Sequence, residues 1–101
     1  MVLLSAVLLA CSSEGPTPLH GYRLVNDRLL HVQAVTNRNF VTWLESVEET
    51  PTNVVISMVT RSGGFEGGSA EAFWIAVPLD APLGDRVVLN ASGHTPIARI
   101  P

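Results

Sequence analysis

Thr52-Asn53-Val54-Val55-Ile56-Ser57-Met58-Val59-Thr60 is the most β-prone stretch of the chain. Val and Ile dominate it, and branching at Cβ suits a pleated backbone better than a helix. With side chains alternating along a strand, Val54, Ile56 and Met58 share one face and Val55, Ser57 and Val59 the other. Apolar residues on both faces predict a strand covered on at least one side by a second sheet.

The same punctuation runs outward in both directions. Upstream, Glu49-Thr50-Pro51 ends a strand over Phe40 to Glu48. Its two faces, Phe40, Thr42, Leu44, Ser46 and Val41, Trp43, Glu45, Val47, are both partly apolar, so alternation does not choose between them. Asn37-Arg38-Asn39 is a turn, and Arg28 to Thr36 is a strand with Leu30, Val32 and Ala34 toward the core and His31 and Gln33 outside. Asn26-Asp27 reads as a two-residue hairpin turn, since both residues tolerate positive φ, and Gly21 to Val25 is the strand before it.

Downstream, RSGGFEGGSA (Arg61 to Ala70) is a Gly-rich loop. Glu71 to Leu79 is a strand with Phe73, Ile75, Val77 and Leu79 on one face. Its Pro78 confines it to an edge, a bulge or a strand end. Asp80 to Asp85 is a turn, Arg86 to Asn90 a strand, Ala91 to His94 a turn and Thr95 to Ile100 a last strand. About seven short strands with turn signals between them make the chain all-β. The expected architecture is a small two-sheet β-sandwich of immunoglobulin-like or fibronectin-III-like type, without the paired cysteines of antibody domains. A small barrel is the alternative.

The 101 residues suit one domain. Six basic against nine acidic side chains give a net charge of −3, and no basic cluster stands out. That argues against a nucleic-acid partner. Cys11 is the single cysteine, which excludes an intrachain disulfide and a Cys-based zinc site.

Cys11 has a different explanation. Residues 1–11 read MVLLSAVLLAC, an apolar run ending in Leu8-Leu9-Ala10-Cys11 and followed by Ser12, Ser13, Glu14, Gly15 and Pro16. The run is too short for a bilayer, which needs about 20 residues, but fits the apolar region of an export signal. An aliphatic residue three before a cysteine, with a small residue between, resembles the lipobox of bacterial lipoprotein signal peptides. That resemblance implies cleavage before Cys11 and a lipid on its thiol. Residues 1–10 are then a signal peptide, 11–20 a lipidated tether and 21–101 the β-domain. It places the domain outside the cytoplasm, anchored to the cell membrane, with secretion as the alternative. No Lys or Arg precedes Arg23, a departure from the usual charged start of such signals. Two other readings stay open: an ordinary cleaved signal, and an N-terminal strand of the domain.

Two further segments, Val47-Glu48-Glu49-Thr50-Pro51-Thr52 and Leu79-Asp80-Ala81-Pro82-Leu83-Gly84-Asp85-Arg86-Val87-Val88, are similar to segments of a family of small uncharacterised secreted proteins and lipoproteins of actinobacteria. Those pair an "ETPT" entry into a Val-rich strand with a later "LD.PLGDR.V" turn-and-strand. Gly21-Tyr22-Arg23 is a weaker echo, and Asn90 stands where such sequences often carry Asp. The resemblance implies an exported β-domain and no activity. The residues themselves suggest a structural motif: Leu83 plugging the sandwich end, Gly84 permitting the bend, and Glu48 or Glu49 pairing with Arg86.

No catalytic constellation is visible. No hydroxyl sits in a GxSxG elbow, and Gly63-Gly64 and Gly67-Gly68 lack the Lys and helix of a phosphate loop. His20, His31 and His94 read as surface residues. Glu48 and Glu49 point to opposite strand faces. Asp80 and Asp85 flank one turn, where a weak calcium site competes with a solvated turn. No metal or cofactor is therefore assigned. Phe65, isolated between two Gly pairs, and Trp74, opposite the Phe73–Leu79 face, are the candidate binding residues, with core packing the competing role for each. The expected function is a non-catalytic binding or accessory module of the cell envelope, with an envelope protein or a glycan as partner. The alternative is a secreted enzyme or metal-dependent protein whose site forms only on folding.

Overall fold

A computed structural model describes residues 14–61 and 70–101. Every regular element among them is a strand: β1 (Glu14–Pro16), β2 (Leu19–Asn26), β3 (Leu29–Asn37), β4 (Val41–Glu49), β5 (Asn53–Arg61), β6 (Ala70–Pro78), β7 (Val87–Asn90) and β8 (Thr95–Pro96). They form two sheets, one of five strands and one of three in the order β2-β3-β6. The chain is a small two-sheet β-sandwich, as the alternation of its strands implies.

The deciding stretch is the centre of the larger sheet. β5 pairs with β4 along one edge, and its other edge is divided between antiparallel β1, opposite Val59 to Arg61, and parallel β7, opposite Asn53 to Ile56. Val54, Ile56 and Met58 are buried against Leu30, Val32, Ala34, Val77 and Val88. Each fully buried aliphatic side chain of this kind contributes about 1.5–3 kcal/mol through removal from water.

β4 explains why its buried face could not be read. Leu44 is opposite Met58, but Ser46, not Glu45, is opposite Ser57. Glu45 is the extra residue of a β-bulge, and a bulge changes the phase of alternation. Thr42 and Leu44 therefore face inward before it, and Val47 and Glu49 after it.

Two expected boundaries move. The Pro-rich segment assigned to the tether contributes structure from Glu14 onward: β1 pairs with β5, Thr17 is buried, and His20 lies in β2. Thr17 N–H donates to the Met58 carbonyl. That places Pro16 at the alternate position, where its missing N–H falls off the ladder and costs no bond. The first hairpin turns at Asp27-Arg28, one residue later than expected. Neither Asn26 nor Asp27 has positive φ; instead Asn26 Oδ1 accepts from Arg28 N–H at 2.9 Å. The last expected strand, Thr95 to Ile100, splits between the sheets. Ile97 N–H donates to Val88 in the larger sheet, while Tyr22 N–H donates to Ala98 and Ile100 N–H to Tyr22 in the smaller. Residues 97–100 thus close one side of the sandwich, and Ile100 lies so near Gly21 that an added Cβ would sit 2.6 Å from it.

Candidate functional site

The two motif segments meet at one end of the sandwich. Glu49, inward because of the Glu45 bulge, accepts Asp80 N–H at 2.7 Å and Arg86 Nη1 at 3.0 Å. Arg86 also donates through Nε to the Leu83 carbonyl, through Nη2 to Ala81 and Pro82, and through Nη1 to Thr50. All five guanidinium donors are thereby used. Thr50 Oγ1 accepts from Asn53 N–H, which shapes the entry into β5. Leu83 is buried, and its N–H donates to Asp27 of the β2–β3 turn. Gly84 has φ +57°, the left-handed conformation its place in the turn requires. The Glu49 carboxyl is held below its ordinary value of 4.5, chiefly by the Asp80 N–H, with Arg86 and Ala81 adding to it against a desolvation that raises it. This is a structural clasp, because the Glu49 carboxylate and all five Arg86 donors are spent on other parts of the fold. Among the described residues no three His, Cys, Asp or Glu side chains converge as metal ligands, at Asp80 and Asp85 or elsewhere.

The candidate binding site lies at the other end, on the side where β4 and β6 face each other across the gap between the sheets. A cleft of about 310 Å³ is lined by Thr36, Arg38, Phe40, Thr42, Phe73, Trp74 and Ile75. Phe73 and Ile75 point inward from β6, opposite Ala34 and Val32. A hydroxyl chain runs beneath: Thr17 Oγ1 lies 2.6 Å from Thr60 Oγ1, which lies 2.9 Å from Thr42 Oγ1. Trp74 is 39% exposed, and the Arg23 guanidinium stands 4.5 Å from its ring centroid. Gln33 is directly opposite Trp74, and His31 opposite Arg23, on the same outer face. The region therefore offers two features on different faces of the smaller sheet: an aromatic ring with a cation on it outside, and an apolar cleft with threonine hydroxyls between the sheets. The ring can stack a flat apolar face, and the exposed Arg38 guanidinium at the cleft can donate hydrogen bonds.

Trp74, for which core packing and a binding role both stood open, is half-exposed. Phe65 and Cys11 lie outside the described residues. Phe40 and Arg23 were not singled out from sequence. Their approach to Trp74 depends on the order β2-β3-β6 and on the β4–β6 gap, which no local pattern encodes. Trp43, the other tryptophan, is half-buried with Arg61 5.6 Å from its centroid. No family model, curated protein or solved structure matches the chain.

Proposed function

We propose that this chain is a cell-envelope lipoprotein, anchored outside the cytoplasm through a lipid on Cys11, whose β-sandwich is a non-catalytic binding module. The observation that carries the binding role is the half-exposed Trp74 ring, with Arg23 over it on the outer face of the smaller sheet, in a strand that also lines an aromatic cleft between the sheets. A sugar ring presents an apolar face bordered by hydroxyls, so a glycan of the envelope is the ligand this chemistry suits first. The clasp at the opposite end takes no part, since its charges are already paired.

The test uses Trp43→Phe, which leaves Trp74 as the sole indole. Titration with soluble β-1,4-linked N-acetylglucosamine oligomers should shift or quench its emission, and Arg23→Ala should weaken the effect. Emission unmoved by these oligomers would argue against glycan recognition at Trp74 and leave an envelope protein as the partner.

A further inference from the structure

A strand at a sheet edge presents unpaired N–H and C=O groups, and natural proteins usually blunt such edges. Four of the edges here are blunted. β1 has three residues, including Pro16, and β8 has two, including Pro96. β4 carries the Glu45 bulge. The outer edge of β2 is occupied by residues 98–100.

β6 is the exception. It is nine residues long, its register with β3 is unbroken, and among the described residues nothing pairs with its other side. Leu79 N–H donates to Arg28, the residue opposite it. Antiparallel hydrogen-bonded pairs alternate, so Val77, Ile75, Phe73 and Glu71 direct their backbone groups to β3. Ala70, Ala72, Trp74 and Ala76 direct theirs to the free edge. Pro78 belongs to the same set, so its missing N–H costs the β3 ladder nothing.

We infer that the free edge of β6 is a self-association surface, pairing antiparallel with β6 of a second copy about a two-fold axis at Trp74. The sequence Ala70-Glu71-Ala72-Phe73-Trp74-Ile75-Ala76-Val77-Pro78 is self-complementary in that register. Ala72 of one copy lies opposite Ala76 of the other, leaving room beside each indole. Phe73 lies opposite Ile75, so two half-buried apolar side chains cover one another across the axis. Glu71, the one charged residue of the strand, meets Val77 and never another carboxylate. The pairing also brings the two clefts beside β6 to face each other and sets the two Trp74 rings side by side on one continuous sheet. A two-fold contact between identical patches closes on itself and does not propagate into a fibre.

The experiment uses the full chain carrying Cys11→Ser, which excludes disulfide-linked dimers and makes the result independent of lipidation. Sedimentation equilibrium should give a weight-average mass that rises with concentration from one chain toward two. Over the same range, amide exchange should slow at Ala70, Ala72, Trp74 and Ala76 and stay unchanged at Glu71, Phe73, Ile75 and Val77. Ala72→Pro removes a free-edge N–H without touching the β3 ladder, and should abolish the association. A mass of one chain at every concentration overturns the inference. So does association that leaves those four amides unaffected, a reading that holds even if the proline variant fails to fold.

Discussion

Arg86 and Glu49 do at residue scale what a disulfide does in many small exported domains: they tie distant loops together. An exposed ion pair contributes at most about 1 kcal/mol, and Arg61–Glu14 and Arg38–Glu71 are of that kind. Arg86 and Glu49 differ, with side chains only 11% and 16% exposed. Hydrogen bonds to charged groups contribute about 1.5–3 kcal/mol each when their partners are withdrawn from water. Acid should therefore weaken the fold. The Glu49 pKa is lower in the folded chain than the ordinary 4.5, so its contribution is complete above that value and is lost as pH falls below it. Chemical denaturation between pH 6 and pH 3 should show the loss, and Glu49→Gln should be less stable at neutral pH with a shallower acid dependence. An unchanged dependence in that variant would assign acid sensitivity to other carboxylates.

At the scale of elements, the turn between β6 and β7 is fixed by one backbone conformation. A Cβ added at Gly84 would meet nothing within 4 Å, so it would not clash. The cost of substitution is purely conformational, about 1–2 kcal/mol for a residue held left-handed. Gly84→Val should lower the thermal midpoint by several degrees, while Gly84→Asn should lower it much less, since Asn tolerates positive φ. Equal effects would mean that the turn does not depend on φ. The strands themselves were legible where alternation is regular. The buried set Leu30, Val32 and Ala34 follows directly from parity, and parity also groups Val54, Ile56 and Met58 on one face, which the second sheet covers. β4 was not legible, because a bulge leaves no mark in composition and exchanges the two faces midway. The clasp was legible as a pairing of Glu48 or Glu49 with Arg86, and the bulge is what selects Glu49. β1 was missed because a short edge strand containing Pro16 has the composition of a linker. The cleft was legible only through Trp74, since Phe40, Phe73 and Arg38 converge by sheet order alone.

At the scale of the whole molecule, the proposed anchor and the described fold are separable. Cys11 precedes the first strand, so Cys11→Ser should release the protein from the membrane fraction while leaving its circular dichroism and melting unchanged. Intact mass of the membrane-recovered chain should lack residues 1–10 and carry acyl groups; an unacylated mass in the medium would make it a secreted domain. The early start of β1 has a geometric consequence. Between Cys11 and Glu14 stand only Ser12 and Ser13, a span of at most about 11 Å between α-carbons. An acylated Cys11 is then a short leash and not a mast. β1 enters the sheet beside Arg61, at the end that also carries the β3–β4 turn and the start of β6. On the proposed acylation of Cys11, that end would be kept close to the headgroups and the Arg86 clasp would point away from the bilayer. Two molecules tethered in that way would stand upright in the same sense, and their encounters would be confined to rotation and sliding within a plane.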